Sequence, residues 1–370
     1  MGNRMTAKLR VGVVGTSWFA ENVHLAVLRS HPRAEITALC SRNRANAEEV
    51  ASRHGGPAVF TDYREMISSG LLDALVIVTP DHLHHEIAVE ALAAGLHVMC
   101  EKPLARTGAD ARAMFEAAEA AGMVHMVMFT WRWLAAPAFA KRLVAEGYIG
   151  RVLDAQFAML GDYGDYLVDG WRFDPERGTG ILGDLGSHMI DMARWFVGEI
   201  SGVSGRLTRT DLARPGRDGA DTSTFLNDTA TVMVQFASGA TGTIQVSGAR
   251  LVGDSYPTEV RLFGDQGSLK LEFGLDTPGR VSGWRPGDES WNELSIPDDL
   301  LGTDGPNPPI PDLPSLAPLT NLPVADRLFV DAVLDGIPAE PTFEDGWRVQ
   351  EVIDAVLRSD RRKCWVAVSG

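Results

Sequence analysis

Apolar positions in the first third of the chain fall in short runs separated by amphipathic stretches. Leu9–Val14 is such a run and stops at Gly15. A helical stretch follows to Leu28 and ends before His31-Pro32, because the residue preceding a proline resists the helical region. Ile36–Cys40 predicts a second strand, Asn43–Arg53 a helix broken by Gly55-Gly56, and Ala58–Phe60 a short third strand. Ala74–Thr79 reads ALVIVT, apolar or β-branched throughout, as in a strand buried on both faces. His84–Ala94 predicts a helix closed by Gly95. His97–Cys100 is the next strand and runs into Glu101-Lys102-Pro103. Thr107 with Asp110 approximates a capping box for a helix to Gly122, and Val124–Phe129 closes the series. Strand–helix alternation of this kind predicts an α/β domain over residues 1–129 with a doubly wound parallel sheet.

Beyond residue 130 the period changes. Val152–Leu160, Thr229–Ala237, Ala240–Val246, Val260–Phe263 and Ser268–Phe273 are strand-like and follow one another across turns such as Ser238-Gly239 and Asp265-Gln266-Gly267. Residues 130–370 therefore read as an α+β domain with a large, mostly antiparallel open sheet. Residues 297–323 hold eight of the 20 prolines, which excludes a regular helix or a central strand and predicts a long ordered loop. Ala325–Asp335 and Asp345–Arg358 predict two final helices.

A length of 370 residues fits two domains. The formal net charge of −15 argues against nucleic acid, where Lys and Arg must neutralise phosphates. No apolar run reaches the roughly 20 residues of a membrane span. Three cysteines, Cys40, Cys100 and Cys364, do not make a disulfide framework. The segment MGNRMTAKLR lacks an apolar signal core, so a cytoplasmic location is the default expectation.

Gly15-Thr16-Ser17-Trp18-Phe19-Ala20 lies between the first strand and its helix and fits G-x-G-x-x-G/A except at the second glycine. Gly15 permits the tight turn, Ala20 allows close helix–strand packing, and the helix N-terminus offers N–H groups to a pyrophosphate. In this context Gly15, Thr16, Ser17, Trp18 and Phe19 predict a dinucleotide site of the Rossmann type. The tip of the second strand, Cys40-Ser41-Arg42-Asn43-Arg44, lacks the carboxylate that holds the ribose 2′-hydroxyl of NAD. Arg42 and Ser41 suit a 2′-phosphate, which favours NADP over NAD. Ligands in such sheets lie beyond the carboxyl ends of the strands. Thr79, Pro80, His82 and His84 after the fourth strand, and Glu101 and Lys102 after the fifth, are therefore expected near the nicotinamide. The two histidines are read there as packing or capping groups, not catalysts.

Gly183-Asp184-Leu185-Gly186-Ser187-His188-Met189-Ile190-Asp191 follows Gly178-Thr179-Gly180. In a helix Asp184 and His188 lie one turn apart on one face, where the carboxylate orients the imidazole. Oxidising an alcohol requires a group that removes the hydroxyl proton as hydride leaves, and histidine titrates in the right range. The Lys102 ammonium suits the developing alkoxide charge. A satisfied buried histidine has the same spacing. A metal site at Asp184, His188 and Asp191 lacks a nearby His or Cys cluster, and no metal is expected.

These residues carry a resemblance. Glu101-Lys102-Pro103, the segment Gly178 to Asp191, TPDHLHHEIAVEALAAGLHVMCEKPLA and PTFEDGWRVQEVIDAVLRS, spread from about Leu9 to Val368, resemble the glucose–fructose oxidoreductase/inositol dehydrogenase (Gfo/Idh/MocA) family. The resemblance implies a Rossmann domain with tightly held NAD or NADP, and catalysis by Lys102, Asp184 and His188. It also implies a cis Lys102–Pro103 bond and an open sheet that mediates homodimers or homotetramers. Ser17 departs from the family's usual middle glycine.

The expected reaction is hydride transfer between nicotinamide and a secondary-alcohol or ketone carbon of a sugar, inositol or other polyol. The substrate is expected between the domains, against Lys102, Asp184, His188, Arg132, the Trp171-Arg172 pair and the Asp162–Tyr166 loop. Aromatic faces there stack on sugar C–H faces, and Arg binds hydroxyls. Reduction of a small diol or carbonyl compound, hydride recycling between two sugars, and a non-catalytic cofactor-binding regulator are the alternatives.

Overall fold

The computed structural model describes residues 8–161, 171–210, 226–250, 258–277, 279–308, 310 and 313–368. They form two compact units. The first comprises Met1–Ala105, Ala109–Thr130 and Gly302–Trp347; the second comprises Arg106–Gly108, Trp131–Leu301 and Arg348–Gly370.

The sheet of the first unit contains β1 (Leu9–Val14), β2 (Ala34–Cys40), β3 (Ala58–Phe60), β4 (Ala74–Ile77), β5 (His97–Glu101) and β6 (His125–Met128). Their order is β3-β2-β1-β4-β5-β6, and every pair is parallel. All four residues of β4 are buried, as its unbroken apolar run requires. The strand order reverses between β1 and β4, and the crevice beyond their carboxyl ends is where such sheets bind ligands. The helix after β1 opens with a π-helical turn, Ala20–Leu25, before Ala26–Ser30 continues it.

The chain returns to this unit after leaving it. Helix Ala325–Asp335 packs beside β1, β5 and β6, with Phe329 and Val330 fully buried. The Pro341 carbonyl accepts from the Val127 amide at 3.0 Å, and Arg327 Nη1 donates to the Ser30 carbonyl at 2.8 Å. In the proline-rich stretch, helix Ala317–Asn321 forms one short turn, because Pro318 sits in the first turn, where its missing N–H costs nothing.

The second unit holds a nine-stranded sheet. Its strands are β7 (Val152–Leu160), β8 (Ile200–Thr208), β9 (Thr229–Phe236), β10 (Thr241–Ser247), β11 (Thr258–Gly264), β12 (Ser268–Phe273), β13 (Arg280–Trp284), β14 (Asn292–Leu294) and β15 (Val366–Ala367). The order is β14-β13-β12-β11-β7-β10-β9-β8-β15. Only the β7–β10 pair is parallel among the described pairs. In β9, Ala230, Val232, Val234 and Phe236 are buried while Thr231, Met233 and Gln235 are exposed, the period-two signature of a sheet covered on one face. Helix Ser187–Val197 packs beside β7 and β10 on the covered face, and helix Ala135–Ala145 beside β12 and β13. No helix among the described residues is long and apolar enough to cross a membrane.

Candidate active site

In the first unit Gly15 ends β1 with φ of +113°, and a Cβ there would meet the Val78 carbonyl oxygen at 2.2 Å. Only glycine fits that approach. Ser17 stands in the middle-glycine position and serves the helix instead: its Oγ accepts from the Ala20 amide at 3.2 Å. Thr16 Oγ1 donates to Asn46 Oδ1 at 2.5 Å. Trp18 is exposed, and Phe19 lies edge-on to His24. At the tip of β2, Arg42 is exposed and Ser41 half-buried. Ser41 Oγ accepts from the Asn43 amide.

The loop after β4 carries one orphan. Thr79 Oγ1 is buried and has no hydrogen-bond partner, as expected of an atom that a bound ligand completes. Pro80 and His82 are half-buried beside it. His84 is buried and bridges two carbonyls, Thr79 O at 2.8 Å from Nε2 and Pro103 O at 3.0 Å from Nδ1. Glu101 is buried, Lys102 is half-buried, and the Lys102–Pro103 bond is cis. These strand-end residues fit a dinucleotide: a helix N-terminus, an orphan hydroxyl and an exposed Arg share the ligand end of one parallel sheet.

In the second unit the helix carrying Asp184 and His188 differs from the α-helix that their spacing predicts. Its first turn, Leu182–Gly186, is π-helical, and α-helix begins at Ser187. Gly183 and Gly186 hold the tighter α turn least, since glycine has the lowest α-propensity after proline, and the wider π turn replaces it. Asn227 caps the start, its Oδ1 accepting from the Leu182 amide at 3.1 Å. Asp184 and His188 are 8% and 5% exposed. Arg172 Nε donates to Asp184 Oδ1 at 3.1 Å, and its guanidinium lies 4.5 Å above the Trp171 ring. A Cβ at Gly178 would meet the Arg172 carbonyl oxygen at 2.2 Å, so the glycine lets the Trp171-Arg172 turn lie against this motif.

Trp131 stacks flat on His188, with ring centroids 4.2 Å apart and planes within 5°. Arg132 is buried, and its fork grips Asp191, Nε to Oδ2 at 2.8 Å and Nη2 to Oδ1 at 2.6 Å. Both neighbours on the short turn Thr130–Trp133 thus hold the helix that carries His188. The Asp162–Tyr166 loop lies outside the described residues. Among the described residues no group of three His, Cys, Asp or Glu side chains is placed to hold a metal ion.

Comparison with known proteins now decides the family. Residues 9–129 match the model of an oxidoreductase family with an NAD-binding Rossmann fold, and residues 138–270 match the GFO/IDH/MocA C-terminal domain. The chain belongs to the Gfo/Idh/MocA oxidoreductases. Among members, it is 32% identical to levoglucosan dehydrogenase of Pseudarthrobacter phenanthrenivorans, over 89% of this chain and 88% of that one. It is 30% identical to D-apiose dehydrogenase of Paraburkholderia graminis, over 71% of this chain and 68% of the other. A solved levoglucosan dehydrogenase in complex with NADH and L-sorbose superposes with a TM-score of 0.84 at 29% identity, covering 98% of this chain and 99% of that one.

Two features of this Gfo/Idh/MocA chain left no mark in its sequence. His24 is fully buried between two carboxylates, Asp326 Oδ1 at 2.8 Å and Glu101 Oε1 at 3.0 Å. Burial works against a charge on His24, but the charge and hydrogen bond of Asp326, then those of Glu101, outweigh it and raise its pKa to about 10. Asp326 is 302 residues away in sequence, so local pattern cannot reveal the pair. The Trp131 stack is equally silent, since a tryptophan after a buried strand reads as core.

Proposed function

We propose that this oxidoreductase transfers hydride between NAD(P) and a secondary-alcohol or ketone carbon of a sugar, inositol or sugar derivative. One observation carries the reading: a buried imidazole and carboxylate share one helical segment, the imidazole stacked on Trp131 and the carboxylate held by Arg172. The names of similar members, levoglucosan, D-apiose and D-glucoside 3-dehydrogenases, support the sugar class. The nicotinamide, when bound, accepts or donates the hydride. His188 takes the hydroxyl proton during oxidation and returns it during reduction. Lys102 polarises the reacting oxygen and balances alkoxide charge. Asp184 orients substrate and His188, and Arg172, with its partly open guanidinium, binds sugar hydroxyls beside Trp171.

NADP is the preferred cofactor in this reading. The β2 tip offers Arg42 and no carboxylate, whereas levoglucosan dehydrogenase, which this chain resembles, is solved in complex with NADH. The open face of the nine-stranded sheet, with Met233 exposed, supports a homodimer or homotetramer.

A panel of sugars and polyols, levoglucosan and D-apiose included, read by absorbance of reduced cofactor with NAD and NADP side by side, tests the whole reading. Turnover that vanishes in Lys102→Ala and His188→Ala establishes it. Cofactor binding without turnover of any sugar sinks it in favour of a regulator. Arg42→Ala should lower the NADP/NAD ratio of kcat/KM by about ten- to a hundredfold, the worth of a charge-assisted contact of about 1.5–3 kcal/mol. An unchanged ratio removes the NADP assignment.

A further inference from the structure

Lys102 is flanked by two residues that are each held by a buried histidine. Glu101, on its N-terminal side, uses both carboxylate oxygens: Oε1 meets His24 Nε2 at 3.0 Å, and Oε2 accepts from the Lys102 backbone amide at 3.1 Å. Pro103, on its C-terminal side, offers its carbonyl to His84 Nδ1 at 3.0 Å. Each histidine is anchored at its other nitrogen as well. His24 Nδ1 is held by Asp326, and His84 Nε2 by the Thr79 carbonyl at the end of β4. The two imidazoles are 0% and 1% exposed, so neither contact competes with water.

We propose that His24 and His84 are positioning residues for Lys102, a pair of clamps that fix the backbone on either side of it and so set where its ammonium stands. The inference rests on the reading of Lys102 as the group that polarises the reacting oxygen. Its physical basis is leverage. Lys102 reaches the reaction on a long flexible stem, and its backbone origin is the part that the fold can fix. His24 donates from both nitrogens to acceptor-only carboxylates, as an imidazolium must, and its raised pKa keeps it in that form at neutral pH. His84 faces two carbonyls, which also only accept. Burial outweighs the Thr79, Pro103 and Leu104 backbone contacts and the Glu101 charge and lowers its pKa, so the ring is neutral and donates to the one carbonyl its tautomer selects. It also ties the Pro103 side of the lysine to the same β4 loop that carries the orphan Thr79 hydroxyl.

The test compares His24→Gln and His84→Gln with His125→Gln. His125 is another buried histidine of the first unit, on the first residue of β6 at the opposite end of the sheet, where it accepts from the Phe343 amide at 3.1 Å. Two readouts are taken. The first is kcat against KM on a substrate found in the panel. The second is the rate of acetic-anhydride labelling of Lys102 in the cofactor-free full-length protein, measured by mass spectrometry relative to Lys363. His24→Gln and His84→Gln should lower kcat by about ten- to a hundredfold, the penalty of a group displaced by about an ångström. They should also change Lys102 labelling several-fold, whereas His125→Gln lowers thermal stability and leaves both readouts unchanged. If all three variants lose only stability, and Lys102 labelling is the same in each, the clamps are structural and the proposal is overturned. Lys102→Ala runs beside them. Turnover surviving that substitution would remove the role of Lys102 itself, and labelling would still decide whether the histidines set its position. Should His24→Gln not fold, His84→Gln, whose ring is held by backbone groups and no carboxylate, decides alone.

Discussion

Arg132 is the residue whose place in the structure makes the sharpest prediction. Sequence position makes it a sugar ligand; the structure turns its fork onto Asp191. The two side chains are 8% and 1% exposed. Replacing Arg132 by Met keeps the stem volume and removes both guanidinium hydrogen bonds from the buried Asp191 carboxylate. Stranding one half of a buried pair costs about 3–5 kcal/mol. For a folding unit of roughly 200 residues that corresponds to a fall of about 6–20 °C in Tm. Asp191→Leu should cost a similar amount, because it breaks the same buried pair from the other side. The double variant Arg132→Met/Asp191→Leu should recover most of the loss, since an apolar pair of similar volume replaces a buried ion pair at little net cost. The assay is differential scanning calorimetry of the four proteins, with kcat and KM measured well below the lowest Tm. At that temperature the double variant should retain turnover, because His188 and its Trp131 stack are still present. The reasoning is refuted if Arg132→Met leaves Tm within about 2 °C of wild type while KM for the sugar rises steeply. That outcome would make Arg132 a substrate ligand.

Three further outcomes are expected. Gly15→Ala forces a side chain into a φ of +113° and against the Val78 carbonyl; it should cost about 1–3 kcal/mol and weaken reduced-cofactor binding in a fluorescence titration, and wild-type values for both would contradict the close approach. Trp131→Leu removes the π face from His188, and if His188 takes the hydroxyl proton as proposed, this should destabilise its imidazolium by about 0.5–2 kcal/mol, or two- to thirtyfold in kcat/KM; Trp131→Phe should recover part of it, and wild-type activity in both variants would show the stack to be idle. The folded pKa of His24, about 10, lies above its unfolded value near 6.5, so its contribution to stability is full below pH 6.5 and is lost as pH rises toward 10. The difference in Tm between wild type and His24→Gln should therefore shrink between pH 7 and pH 10, and a constant difference would mean that His24 is neutral in the fold.

Much of the architecture was legible because burial leaves a period in sequence. The ends of β1, β7, β12 and helix Ala325–Asp335 fall where apolar runs and turn residues put them. β8 was missed: ISGVSGRLT carries two glycines and two serines, and it is a strand because β9 pairs with it. Helix Tyr63–Ser68 and the short strands β13, β14 and β15 were missed for want of length. Among the candidate residues, Lys102 in the first unit and Asp184 and His188 in the second stood out because reactive residue types sat beside glycines and strand ends. The contacts that hold the buried groups did not. His24 depends on Asp326, His188 on Trp131, and Asp184 on Arg172, and each pairing is made by tertiary folding across intervening chain. The π-turn at Leu182–Gly186 was invisible as well, since one residue more per turn alters no local pattern.

The return of Gly302–Trp347 to the first unit has a consequence for how the protein is made. A ribosome releases the chain from its N-terminus, at roughly 5–20 residues per second, so the segment ending at Thr130 emerges about 200 residues before the helix that completes its fold. For tens of seconds β1, β5 and β6 lack the cover of Phe329 and Val330, and His24 has one carboxylate where the finished protein has two. A nascent first unit cut at residue 130 should therefore remain open to protease and to chaperones, and it should close only once Asp326 has left the exit tunnel. The cofactor-binding half of this enzyme is the first to be translated and among the last to be finished.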